Sequence, residues 1–409
     1  MSSPTIEASP GIHRNEGQSS APAYWSGIFA MTLCVFALIA SEFMPVSLLT
    51  PIARDLSVSE GLAGYGIAIS GAFAVLSSLT IARLAGSLDR KTLLLLLTAV
   101  MCVSGLIVGS ASNYSAYMLG RALIGVVIGG FWSMSAAVAM RLVPKASVPK
   151  ALVIFNSGNA LATVIAAPLG SYLGGVIGWR GAFYCVVPVA LIALVWQWLS
   201  LPSMPTHERA GPSGSVMALL KRPTVILGML AVGVFFMGQF MLFTYVRPFL
   251  ESVSRVNVTT LSMILLGLGV SGFIGTVLIG AFLKRNLYRP LIVIPLLMAV
   301  IGVGLVKFGT SVPAVFALLA LWGLFATAAP VGWWAWLAES LPNDAEAGGG
   351  LMVAVIQLSI ALGSTAGGLL FDSSGYRLTF FASAALLVLS ALLTLRAARA
   401  SGGIEHRSA

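Results

Sequence analysis

The chain has 409 residues, of which 58% are hydrophobic and only 9% charged, and its mean hydropathy is +0.97. Soluble domains carry about 25% charged residues, so a soluble protein is excluded and the natural unit is the membrane span of about 20 residues. The net charge of +10 does not point to nucleic acid, because the basic residues fall singly in short connections, where they orient a membrane protein.

Residues 1–24 are polar, and the apolar run after them is too long for a signal peptide and lacks a small-residue cleavage pattern. That run, 25–50, holds Glu42, the one carboxylate well inside an apolar stretch. A charge at mid-bilayer costs about 3 kcal/mol even on insertion scales, so it marks a functional position or a helix-packing carboxyl held neutral or paired. After a second run, 61–82, comes the turn Gly86-Ser87-Leu88-Asp89-Arg90-Lys91. Asp89 is expected to meet the N-terminus of the eleventh helix near Gly348–Gly350, where the dipole favours an anion; a solvated loop carboxylate is the alternative.

Runs at 93–111 and 115–140 follow. In the latter, Arg121, Gly125, Ile128, Trp132 and Ser135 share one helical face. Arg121 stays charged, so it is paired, lines a wet cavity or snorkels. Run 151–174 puts Asn156, Asn159 and Thr163 on one face, and run 181–200 completes six. Residues 201–223, with four prolines and two glycines, read as a linker.

The second six runs are 224–249, 260–283, 289–308, 312–338, 347–370 and 377–396. Gln239 and Phe243 in the first of these, and Gln357 in 347–370, are candidate substrate contacts. Amides offer donors and acceptors to a polar solute or simply bond between helices. Trp322, Phe325, Trp333 and Trp336 line one face of 312–338; Trp333 is the candidate for stacking on a planar solute, against packing or an interfacial belt.

Runs of this length without period-2 alternation select helices over a barrel. With both termini on one side, that side holds sixteen of the Lys and Arg residues and the other six, which puts the termini in the cytoplasm. Glu42-Phe43-Met44 and Gln239-Phe240-Met241 are 197 residues apart, as are Pro51 and Pro248, and Gly178-Trp179-Arg180 and Gly375-Tyr376-Arg377. One unchanged offset at separate places means two parallel six-helix repeats, with the solute site at their interface near mid-membrane.

The Arg121-x-x-x-Gly125-x-x-x-Gly129 segment, the Gly86–Lys91 turn and Ala167-Pro168-Leu169-Gly170 resemble signatures of the major facilitator superfamily, the last of them the antiporter motif of its drug:proton branch. Glu42 to Pro51, Gly129 to Ala136, Val148 to Leu152 and Pro330 to Trp333 are similar to the purine ribonucleoside exporters of that branch. The resemblance implies an all-α membrane protein of twelve transmembrane helices in two pseudo-symmetric six-helix bundles. It also implies export of inosine- or guanosine-like solutes in exchange for protons across a bacterial inner membrane, with sugar or multidrug efflux as the alternative cargo.

The expected divisions are a tail 1–24, bundles 25–200 and 224–397, the linker 201–223 and a tail 398–409. Glu42 and Arg121 are expected to couple protons. Trp132, Asn156, Asn159, Gln239, Phe243, Trp333 and Gln357 are expected to hold substrate, and Asp89, Arg90 and Lys91 to gate. No cofactor or metal is expected: the cysteines (Cys34, Cys102, Cys185) lie in apolar runs without ligand spacing, and the histidines (His13, His207, His406) lie in the tails and linker. The partners are a small molecule, protons and lipid, with no nucleic acid, and the chain is expected to be a monomer. An enzyme is disfavoured because no run holds paired carboxylates, a His cluster or a nucleophile elbow; a channel, because no filter-like loop or ring of like charge occurs.

Overall fold

The structure is a computed structural model that describes residues 23–86, 88–144, 147–205, 222–283, 285–341 and 345–405. The three histidines and most of the expected linker lie outside these residues. The first bundle holds α1 (Trp25–Asp55), α2 (Glu60–Ala85), α3 (Arg90–Gly109), α4 (Tyr114–Arg141), α5 (Val148–Val176) and α6 (Gly178–Ser200). The second begins with α7 (Pro223–Phe243) and a short α8 (Val246–Ser252). The expected single run 224–249 is broken between them. Pro248 has no N–H for the carbonyl of Thr244, so the ladder cannot continue through that turn.

Then come α9 (Val258–Leu283), α10 (Tyr288–Phe308) and α11 (Val312–Ser340). The last helical stretch, Ala345–Glu405, is broken at Gly375 (φ 74°, ψ −178°). We number its two parts α12 (345–374) and α13 (376–405). Among the described residues, ten continuous stretches are long and apolar enough to cross a membrane, and two of these, of 51 and 54 residues, are each long enough to cross twice. The chain therefore crosses twelve times, as the sequence leads one to expect.

Both double stretches turn at a glycine with positive φ, Gly178 (76°) and Gly375 (74°), a conformation other residues adopt at a cost. This explains the conserved spacing of the Gly-aromatic-Arg repeat within the chain. In the first copy the guanidinium of Arg180 lies 4.4 Å from the Trp179 ring, pairs with Asp55 at 2.6 Å and donates to the carbonyl of Ala111. It thereby ties the ends of α1, α3 and α6. In the second, Arg377 lies over Tyr376.

Each bundle has its own apolar core, one around Met31, Leu94, Phe131 and Phe155, the other around Phe235, Leu265, Met298, Trp322 and Trp336. Leu76, Leu199, Val277 and Val300 are exposed on the outer surface, where lipid replaces a core. Helices cross closely where small residues permit it. A Cβ on Gly129 would lie 2.1 Å from the carbonyl oxygen of Ala74, and one on Gly323 2.1 Å from that of Leu268.

We call the membrane side bearing the chain ends the near side and the other the far side. The bundles meet through α2 with α12, α5 with α9, and α1 with α8. Gly175 abuts Val258 at the far side, and Gly269 abuts Val164 about half-way down. One and two turns nearer the near side on the same face of α5, Asn156 is exposed and Asn159 and Ala160 are half-buried. Among the described residues, every hydrogen bond between the bundles lies at or beyond mid-membrane towards the far side. The protein is therefore closed on the far side and parted on the near side.

Gly129→Ala is expected to force α2 and α4 apart and cost about 1–3 kcal/mol, as overpacking does. Gly280→Ala, where a Cβ meets nothing within 4 Å, should be neutral or slightly stabilising. Thermal unfolding in detergent checks both: a lower midpoint for the first and an unchanged or higher one for the second.

Candidate functional site

The site is built on α1, which carries Pro45 and Pro51 in its interior. A proline has no N–H for the carbonyl four residues back. Ser41 and Ser47 thus lose their helical donors, and in hydrocarbon an unpaired carbonyl costs on the order of several kcal/mol. The fold supplies an arginine to each. Arg121 of α4 donates from Nη1 to the Ser41 carbonyl at 2.7 Å. Arg247 of α8, from the other bundle, donates from Nη1 to the Ser47 carbonyl.

Arg121 is only 1% exposed. It is buried and paired, and it does not snorkel. Its remaining donors reach the Glu42 carbonyl at 3.0 Å, Ser70 Oγ at 3.1 Å and the Gly66 carbonyl at 2.9 Å. All four acceptors are uncharged. The guanidinium therefore acts as a strut joining α4 to α1 and α2, and it touches Glu42 through the backbone, not the carboxylate.

The Glu42 side chain points the other way, towards the second bundle. It is 4% exposed, and its Oε1 accepts from Gln357 Nε2 of α12 at 3.3 Å. Beside it, Phe43 stacks on Phe240 of α7 with centroids 5.8 Å apart and an interplanar angle of 29°. These two rings are equivalent positions of the two repeats, so the repeat meets itself at the interface. Gln239, the counterpart of Glu42, is buried, and neither its Oε1 nor that of Gln357 has a partner among the described residues. Buried polar atoms are almost always satisfied, so these two oxygens leave room for a donor from elsewhere. Phe243, half-buried, sets its edge on Phe240.

Other expected residues fall differently. Trp132 is half-buried and packs edge-on against Phe131 and Phe155. Asn156 uses its Nδ2 on the Leu152 carbonyl of its own helix, yet stays exposed where the bundles part. Asn159 is half-buried below it. Trp333 offers no stacking surface in this conformation: it is 1% exposed and sits in the second core, edge-on to Trp336. Every face of α11 is apolar, so the aromatic spacing did not reveal which face is covered.

Asp89 does not meet α12 here, because the bundles are apart on its side. It caps α3 by accepting from the N–H groups of Lys91 and Thr92, and its other oxygen accepts from Ser203 Oγ and Met204 N, each at 2.6 Å. Burial raises its pKa, but these four bonds outweigh it and hold the carboxyl below the ordinary value. The cap is therefore intact at neutral pH and is lost only as acid titrates the folded carboxylate. Arg90 contributes its N–H to the Met204 carbonyl, and Lys91 contributes its backbone to the cap.

Arg121→Met should destabilise the protein by about 3 kcal/mol or more, since each buried acceptor left without a donor costs about 1–3 kcal/mol. Pro45→Ala restores an N–H for Ser41 and should recover part of that loss in the Arg121→Met background, while doing little on its own. Thermal midpoints of the two single variants and the double variant measure this non-additivity; equal effects in both backgrounds would contradict the pairing.

A sequence profile described as Major Facilitator Superfamily matches residues 31–347 and 255–407. The chain is 63% identical over 398 residues to the transcription regulatory protein OpdE of Pseudomonas aeruginosa, covering 97% of this chain and 98% of that one. It is 40% identical over 369 residues to the purine ribonucleoside efflux pump NepI of Salmonella typhimurium, covering 90% and 93%. Among solved structures, a bacterial homologue of the human lysosomal transporter Spinster, inward-facing and unoccupied, superposes with a TM-score of 0.76 at 17% identity, covering 93% and 98%. The nucleoside transporter NupG does so at 0.75 and 13%, covering 91% and 98%. A bundle-on-bundle fold closed at one end, a buried carboxylate at the interface and these matches agree: the chain is a multi-pass secondary transporter belonging to the major facilitator superfamily.

Proposed function

We propose that the protein exports purine ribonucleosides from a bacterial cell in exchange for protons, with its near side in the cytoplasm. The observation that carries this reading is the Glu42 carboxylate, buried at the bundle interface and bonded across it by Gln357. A carboxylate there can be charged or neutral, and the two forms favour different arrangements of the bundles. One proton moving inward down the potential yields about 2.3 kcal/mol per 100 mV, enough to drive solute outward. The similarity to NepI supports the cargo.

The stacked rings of Phe43 and Phe240, the unpaired amide oxygens of Gln239 and Gln357, and the exposed Asn156 with Asn159 supply a planar surface with hydrogen-bonding groups around it. That suits a flat heterocycle carrying N–H and O–H donors. The protein acts as a monomer in this reading, since each chain holds both halves of the site. The name of the Pseudomonas relative points to gene expression. An exporter that lowers the internal level of an inducing solute changes transcription without touching DNA.

Everted inner-membrane vesicles test the reading: acidifying the lumen should drive uptake of labelled inosine by the native protein and not by Glu42→Gln, which should still bind the nucleoside. Uptake of dyes or sugars with none of inosine would overturn the cargo, and pH-driven uptake by Glu42→Gln would overturn the coupling. Phe43→Ala should raise the KM for inosine roughly ten- to a hundred-fold, given about 1–3 kcal/mol per stacked base. Trp333→Ala should instead lower the thermal midpoint and leave the KM of the folded fraction unchanged.

A further inference from the structure

The far-side closure rests on few polar contacts, and one of them involves a carboxylate at a helix end. α2 begins at Glu60 with Ser59 as its N-cap, and Ser59 Oγ accepts from the Leu62 N–H at 3.1 Å. The preceding N–H, that of Gly61, is one of the four that a helix start cannot pair internally. Its partner comes from the other bundle. Asp372, at the far-side end of α12, accepts from Gly61 N at 3.0 Å through Oδ1, while Ser59 Oγ donates to its Oδ2 at 2.5 Å.

Position 61 has to be small for this to happen, because a Cβ there would lie 2.2 Å from Asp372 Oδ2 and 2.7 Å from the Gly368 carbonyl. One turn along α2, the hydroxyl of Tyr245 fills the space in front of Gly64, and its ring stacks on Phe371 of α12. Across the interface from α1, Arg247 holds the Ser47 carbonyl and pairs with Glu251 at 2.8 Å.

An anion at a helix N-terminus is favoured by the aligned peptide dipoles, and hydrogen bonds to a charged group are about twice as strong as neutral ones. The contact joins two rigid bundles at their rim, so it stabilises only the far-closed arrangement. We propose that Asp372 is the gating residue of the far side: its carboxylate, clamped on Ser59 and Gly61, latches the protein shut there and must let go for solute to leave. Asp372 is exposed, so water can take its place on release. The inference rests on membership of the transporter family and not on the identity of the cargo.

A reporter cysteine at Phe43, in a chain carrying Cys185→Ser, reads the far-side access with a membrane-impermeant maleimide applied to that side. Asp372→Ala should raise the labelling rate roughly ten-fold or more, since it removes two hydrogen bonds to a charged group and water makes good part of the loss. Gly61→Ala keeps every polar group and should raise it similarly by displacing the carboxylate, and the two together should add little. Asp89→Ala, on the near side, should not raise it. A Ser59→Cys, Asp372→Cys pair, once oxidised, should arrest transport until reduced. Unchanged labelling in Asp372→Ala, an equal rise in Asp89→Ala, or full transport with the disulfide closed would each overturn the proposal.

Discussion

Every backbone carbonyl inside a bilayer needs a donor, and α1 breaks its own supply twice. Pro45 and Pro51 leave Ser41 and Ser47 bare, and the two arginines that cover them come from different bundles. This makes α1 the helix on which both halves depend. Arg121 fixes the middle of α1 to α2 and α4 permanently, since all its bonds stay within one bundle. Arg247 fixes the far end of α1 to the other bundle, and that bond must break when the far side opens. Between the two lies Glu42, held in place by its backbone on one side and meeting Gln357 through its side chain on the other.

The duplicated chain keeps its scaffold and varies its site. Gly178 and Gly375 preserve a positive φ at equivalent positions because no other residue makes that turn as cheaply. Phe43 and Phe240 survive as a pair because they face each other. Glu42 and Gln239 do not match: one half carries a group that can change charge, the other an amide of nearly the same shape whose dipole is fixed.

Much of this was legible in the sequence. Twelve crossings followed from hydropathy, and the burial of a carboxylate at position 42 from its place in an apolar run. The repeat spacing marks Gly178 and Gly375, and Phe43 and Phe240, as equivalent positions, but that the glycines turn the chain and that the rings meet is seen only in the fold. Other features were hidden for identifiable reasons. Asp372 and Arg247 sit at helix ends, where composition cannot tell a gate from a solvated charge. Helix electrostatics point Asp89 at the start of the eleventh helix, whereas this conformation gives it Ser203 and Met204 instead. The role of Pro45 needs a partner 76 residues away, at Arg121, and sequence spacing gives no hint of it. Trp333 lies on a helix apolar on every face, so no periodicity distinguishes its inner side.

The carbonyl of Ser47 has a further consequence. When the bundles part on the far side Arg247 is carried away from it, and the helix cannot supply a replacement because Pro51 has no hydrogen to give. Only water can. Far-side opening then exposes a carbonyl that the closed arrangement keeps dry, at a point fixed by a proline.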